Sequence, residues 1–159
     1  MILSFIRELA EYEKLSHAVV ATEAVLDQHL FPADGRRGAE VLIGEVGGRA
    51  EGFALYFPTF STFLARPGIY LEDLYVRPTS RGKGLGAALL SRLAAIAVER
   101  GCGRLEWAVL NWNEPAIGFY RKLGAEPMNE WTVNRVSGAA LEALAHRAAA
   151  RSSPPAAAP

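Results

Sequence analysis

The sequence predicts a mixed α/β domain, and two observations carry that prediction. Residues 40–57 read as two strands folded about Gly47-Gly48, and from Ile69 onward strand patterns alternate with helical ones in the order β-α-β-α-β. The length of 159 residues suits one domain, assigned to 1–150. A disordered tail, Arg151-Ser-Ser-Pro-Pro-Ala-Ala-Ala-Pro159, is expected to follow it.

Each element has its own reason. Ile2, Ile6, Leu9 and Tyr12 recur at three- and four-residue spacing with Arg7, Glu8 and Glu11 between them, which predicts an amphipathic helix over 2–14. Thr22 and Glu23 supply the cap and first turn of a short helix to about His29, and a loop runs from Phe31 to Gly38. Glu40–Val46 and Arg49–Phe57 form a hairpin because two glycines provide the positive φ angles of a two-residue turn; Pro58 is expected to end the second strand. Ile69–Val76 is a third strand. Leu85, Leu89, Leu93 and Ile96 mark one face of a helix from about Gly86 to Gly101. Arg104–Leu110 is the next strand, Asn113–Leu123 a helix closed by Gly124, and Trp131–Val136 a last strand. Ser137 caps a final helix to about Ala148.

Composition excludes several classes. Half the residues are hydrophobic and 21% are charged, enough apolar material for a core. No apolar run approaches the length of a membrane span, and the N-terminal Met-Ile-Leu-Ser-Phe-Ile-Arg-Glu lacks the marks of a secretory signal, so a cytoplasmic location with no membrane partner is expected. The lone cysteine, Cys102, cannot form an internal disulfide, and with His17, His29 and His146 it shows no metal-ligand spacing, so no metal is expected. Net charge is zero, yet it is distributed unevenly. Residues 1–76 hold six Lys/Arg against eleven Asp/Glu, and 77–159 hold eleven against six. The run Arg77, Arg81, Lys83, Arg92, Arg100 and Arg104 suits a small polyanion, but without a recognition motif it does not suggest nucleic acid.

The segment Arg81-Gly82-Lys83-Gly84-Leu85-Gly86-Ala87 lies between a strand and a helix, where glycines let several backbone N–H groups point at one phosphate. It is not a P-loop, because Gly84 follows Lys83 where Ser or Thr is required. The dinucleotide fingerprint is nearly met by Gly82, Gly84 and Ala87, but the next strand ends in Leu110-Asn111, not in an acidic residue. The remaining pattern, Arg-x-x-Gly-x-Gly at Arg81, Gly84 and Gly86, resembles the acetyl-CoA loop of the GCN5-related N-acetyltransferases. Tyr70-Leu-Glu-Asp-Leu-Tyr-Val76, Trp112-Asn-Glu-Pro115, Phe119-Tyr-Arg-Lys-Leu-Gly-Ala125 and Arg7-Glu-Leu-Ala-Glu-Tyr-Glu13 resemble the diamine (spermidine/spermine-type) branch, over about residues 2–136.

The resemblance implies a mostly antiparallel sheet with two splayed parallel strands and helices on both faces. Family members place a strand ahead of the first helix, and this chain starts inside that helix. Either the native start lies upstream of Met1, or the first strand is absent and a sheet edge is left uncovered. The implied reaction is acetyl transfer from acetyl-CoA to a primary amine of a small cationic substrate, a diamine, polyamine or thialysine-like amino acid. Leu74, Tyr75 and Val76 would receive the pantetheine arm, Arg81, Gly82, Lys83, Gly84, Leu85, Gly86 and Ala87 the pyrophosphate, and Asn113 and Tyr120 would also touch the cofactor. Asn113 serves equally as a helix N-cap.

An alkylammonium must lose a proton before it attacks, and Glu72 matches the family's base. Simple strand alternation turns Asp73 to the opposite face. Tyr120 matches the family tyrosine that protonates the leaving thiolate. Tyr12, Glu13, Glu72, Glu106 and Trp107 are the candidate amine-binding residues, with cation–π contact expected at the aromatic walls. A homodimer is expected by analogy, with Trp112 and Trp131 as core or dimer-contact residues. A non-catalytic acyl-CoA-binding module and a protein or peptide N-acetyltransferase are the alternatives.

Overall fold

The computed structural model describes residues 1–152. Its elements are α1 (Ile2–Tyr12), α2 (Glu23–Leu30), β1 (Glu40–Val46), β2 (Arg49–Ser61), β3 (Arg66–Val76), α3 (Leu85–Glu99), β4 (Leu105–Trp107), α4 (Glu114–Lys122) and α5 (Gly138–Ser152). The strands form one sheet in the order β1-β2-β3-β4, antiparallel except for the parallel pair β3 and β4. This is the expected mixed α/β architecture. The chain falls into two compact units, one of residues Met1–Asn111 that holds the whole sheet and one that begins at Trp112.

Two neighbouring residues of β2 show how the sheet is covered. A Cβ on Gly52 would lie 3.4 Å from Leu85 of α3 and only 2.7 Å from the Tyr75 carbonyl oxygen, so the backbone and α3 approach closely there. The next residue, Phe53, stacks on Phe5 of α1 with ring centroids 5.4 Å apart and planes 8° from parallel. Successive strand residues face opposite sides of a sheet. α3 therefore packs on one face of the sheet and α1 on the other. Phe5, Phe53 and Tyr75 form the core under α1, with Ile6, Leu9, Val41, Ile43, Ala50 and Leu55 around them.

Charged pins fasten both layers. Arg77 donates to the Glu8 carboxylate through Nε at 3.0 Å and Nη2 at 2.8 Å, and through Nη1 to the Ala50 carbonyl at 3.0 Å. Its guanidinium also lies 4.8 Å from the Phe5 ring centroid. The hydrogen bonds from Arg77 hold the Glu8 carboxyl below the usual carboxylate range. Arg100, past the end of α3, makes a bidentate pair with Glu40 of β1 at 2.5 and 2.7 Å.

Several boundaries differ from the sequence reading. β2 runs through Pro58 to Ser61. Pro58 pairs with Ile69, whose N–H is turned away from β2 to the Arg104 carbonyl, and β1 pairs no further than Tyr56. The missing proline N–H therefore lies where no ladder needs it. β4 is shorter than expected, ending at Trp107. Trp131–Val136 forms no strand; Trp131 is 71% and Val133 81% exposed, and no neighbouring strand supplies a ladder among the described residues. α5 extends to Ser152, past the expected end of the domain, and the rest of the expected tail lies outside the described residues. No strand among the described residues pairs with the outer edge of β1.

Candidate active site

The parallel ladder between β3 and β4 has three rungs, Ile69–Leu105, Tyr70–Glu106 and Leu71–Trp107. β3 continues to Val76 and β4 does not, so from Glu72 onward the sheet is open on that side. The direction of each backbone group along this edge follows from register. The Arg77 N–H donates to the Glu51 carbonyl at 2.9 Å, which makes Gly52–Val76 and Ala54–Leu74 the non-hydrogen-bonded pairs of the antiparallel ladder. The N–H and C=O groups of Leu74 and Val76 consequently project away from β2, into the opening. Those are the two residues expected to pair with the pantetheine arm.

A bulge sets this parity. β2 pairs Leu55 with Asp73 and Tyr56 with Leu71, leaving Glu72 as an extra residue. Ahead of the bulge, Ile69 turns its amide to the β4 side; behind it, Leu74 and Val76 turn theirs to the same side, where β4 has ended. Side chains shift with the backbone. Asp73 shares a face with its partner Leu55, which packs in the core under α1, so it lies on the α1 side. Glu72 itself is exposed.

Three carboxylates meet here. Asp73 is half-buried, and loss of water, then the charges of Glu72 and Glu13, push its carboxyl up to about 6. Glu13, at the C-terminal end of α1, is itself raised by burial. Sequence alternation hid Asp73, because a bulge is a property of strand pairing and leaves no mark on one strand's composition. The shift has a sign. A carboxyl with a raised folded pKa binds its proton more tightly in the folded state, so ionising it costs stability as pH rises through 6, and acidification toward pH 4 returns that stability. Asp73→Asn should therefore unfold at higher urea than wild type at pH 7.5, by about 2 kcal/mol after allowance for solvent screening, and the gap should close near pH 4. An equal gap at both pH values would count against the assignment.

The remaining amine-binding candidates separate. Glu106 pairs with Tyr70, which stacks on Phe57, and Glu106 is held by Arg104 at 2.7 Å. Trp107 pairs with Leu71, one residue on, and so faces the other side of the sheet. Tyr12 has the Arg81 guanidinium 4.8 Å from its ring centroid. Glu106 and Trp107 thus lie on opposite faces of β4.

The glycine loop follows β3. A one-turn 3₁₀ helix, Pro78–Ser80, leads to Arg81, and Gly82 and Gly84 take φ of +73° and +86°. A Cβ at either glycine would meet nothing within 4 Å, so glycine is required there by the backbone angle and not by crowding. Gly84 caps α3 without a side-chain hydrogen bond, leaving the first-turn N–H groups of Leu85, Gly86 and Ala87 available to an anion. Arg81 Nε donates to the Val76 carbonyl at 2.8 Å, and Lys83 Nζ to the Thr79 carbonyl at 2.8 Å. These groups fit a pyrophosphate.

In the second unit, Asn113 is buried and its Oδ1 accepts from the Ala116 N–H at 3.3 Å, the N-cap of α4. Gly124, at φ +87°, closes the helix: its N–H reaches the Arg121 carbonyl at 3.1 Å, and the Ala125 N–H reaches the Tyr120 carbonyl at 3.1 Å. Tyr120 is half-buried, with its ring 5.2 Å from that of Phe119. Among the described residues no group of three His, Cys, Asp or Glu side chains is placed to hold a metal, and no helix is long and apolar enough to cross a membrane.

A sheet opening beside a glycine loop is the frame of an acyl-transferring enzyme. The acetyltransferase (GNAT) family model matches residues 6–125, across both units, and this chain belongs to that family. It is an N-acetyltransferase, and the family's acyl donor is acetyl-CoA. The thialysine N-epsilon-acetyltransferase of Bos taurus is 42% identical over 153 residues, 91% of this chain and 89% of that protein. The human spermidine/spermine N(1)-acetyltransferase-like protein 1 is 34% identical over 137 residues, 78% of this chain and 18% of that protein. An integron cassette protein from the mobile metagenome of V. cholerae superposes with a TM-score of 0.71 at 31% identity, over 87% of this chain and 85% of that one.

Proposed function

We propose that this chain is a cytoplasmic enzyme that acetylates the primary amine of a small cationic molecule, with a thialysine-like amino acid or short diamine as its substrate. The observation that carries this reading is the half-buried Asp73 carboxyl beside the open edge of β3, on which the charges of Glu72 and Glu13 act. A carboxyl that feels two neighbouring negative charges favours a cation beside it.

Acetyl-CoA, when bound, supplies the acetyl thioester. Leu74 and Val76 offer their backbone groups to its arm, Tyr75 lies between them, and the loop from Arg81 to Ala87 receives its pyrophosphate, with Asn113 assigned to the arm by resemblance. Glu72, the bulged residue where the sheet opens, takes the ammonium proton. Asp73 beside it is pushed up to about 6 by loss of water and by the charges of Glu72 and Glu13, a repulsion that a bound cation would relieve. Tyr120 would give its phenolic proton to the CoA thiolate as the C–S bond breaks.

A homodimer belongs to the same reading, supported by the exposed apolar side chains of the second unit, Trp131 and Val133 among them. Sedimentation equilibrium tests it, and a monomer at micromolar concentration removes it. The activity is tested by thiol release from acetyl-CoA with thialysine, lysine, putrescine, spermidine, spermine, an aminoglycoside and a short peptide. Release with thialysine or a short diamine above the peptide is the expected result; release with the peptide alone would replace this reading with protein acetylation.

A further inference from the structure

We propose that Tyr12 is a positioning residue for the acyl donor: with Tyr75 and the Val76 carbonyl it holds the Arg81 guanidinium oriented for the pyrophosphate. This rests on the cofactor reading above and extends it, because it makes the end of α1 part of the donor site. Arg81 is the first residue of the glycine loop and is exposed, a setting in which an arginine side chain samples many rotamers. Here it is fixed on three sides. Its guanidinium lies 4.8 Å from the Tyr12 ring centroid and 5.6 Å from that of Tyr75, and its Nε donates to the Val76 carbonyl at 2.8 Å.

That arrangement commits one donor of the guanidinium to the backbone and leaves the fork of terminal nitrogens to meet phosphate oxygens in pairs. The ordering of the side chain is completed before the anion arrives, which is how preorganisation gains affinity. Tyr75 is itself held in the core against Phe5 and cannot swing away. Tyr12 closes the stack from the last residue of α1. A face of Tyr12 that a substrate cation would need already carries a cation, while the carboxylates Glu13 and Asp73 remain for the amine. Lysine could not take the same place, because it has neither the plane that stacks nor the fork.

Calorimetric titration with CoA tests the proposal in wild type, Tyr12→Leu, Tyr12→Phe, Arg81→Ala, Arg81→Lys and the double variant Tyr12→Leu/Arg81→Ala. Tyr12→Leu should weaken CoA binding by about three- to thirty-fold, the range of a cation–π contact. Tyr12→Phe, which keeps the ring, should restore wild-type affinity, and Arg81→Lys should lose nearly as much as Arg81→Ala. The double variant should bind CoA no worse than Arg81→Ala alone, because Tyr12 acts through Arg81. The KM for the amine at saturating acetyl-CoA should not move in Tyr12→Leu.

Unchanged CoA affinity with a raised amine KM in Tyr12→Leu would overturn the proposal, as would additive losses in the double variant. Arg81→Lys touches only an exposed side chain and keeps the test valid if Tyr12→Leu proves unstable. If the wild-type protein itself fails to bind CoA, the cofactor reading falls, which is a result distinct from either of these.

Discussion

Tyr120→Phe is expected to lower kcat by about 10²- to 10⁴-fold, the span associated with a lost general acid, while the acetyl-CoA dissociation constant stays near the wild-type value. The substitution removes one oxygen and no packing surface, so the effect should be kinetic and not structural. α4 is capped at both ends, by the Asn113 side chain at the start and the Gly124 turn at the end, and neither cap involves the phenol. The Tyr120 carbonyl is itself an acceptor in that turn, which holds the residue's backbone whatever its side chain. Steady-state thiol release, with CoA affinity measured separately, decides the matter. An unchanged kcat would remove the general-acid role and leave Tyr120 as a ring packed beside Phe119.

Phe5→Ala should cost about 3–5 kcal/mol of folding stability, the range for removing a fully buried aromatic ring. Phe5 has no exposed surface. It stacks on Phe53, tilts against Tyr75 at 6.3 Å and lies beneath the Arg77 guanidinium, so three partners lose a neighbour at once. Urea unfolding should show a lower midpoint with an unchanged slope. At low urea, where the variant remains folded, the amine KM and the acetyl-CoA dissociation constant should both rise, because the end of α1 carries Tyr12 and Glu13 and Phe5 is its anchor on the sheet. A loss below 1 kcal/mol would mean that Arg77 and Glu8 hold α1 without the ring.

What the sequence made legible was written in residues that permit only one local geometry. Gly47 and Gly48 adopt the positive φ values, +59° and +74°, that a two-residue hairpin turn requires. Gly82 and Gly84 do the same for the loop, Thr22 and Asn113 cap the helices they precede, and Gly124 ends α4. Features that depend on a partner strand were not legible. Pro58 reads as a stop until the register shows that its nitrogen faces no acceptor. Trp131 to Val136 has the composition of a strand, but composition does not supply a neighbour to pair with. Arg81 was read as charge for a phosphate, and its contact with Tyr12 joins residues sixty-nine positions apart that no local pattern connects.

The extra residue at Glu72 gives the strand a reading frame. Between Ile69 and Val76 a single substitution alters one side chain, and deletion of Glu72 would restore plain alternation while keeping all that lies beyond it in place: Asp73 stays opposite Leu55, and the amides of Leu74 and Val76 still line the opening. A residue inserted between Asp73 and Leu74 has no such outlet, and would turn the amides of Leu74 and Val76 toward β2. Deletion of Glu72 should therefore leave CoA binding near the wild-type value, and that insertion should abolish it. CoA titration of these two length variants side by side would locate the frame.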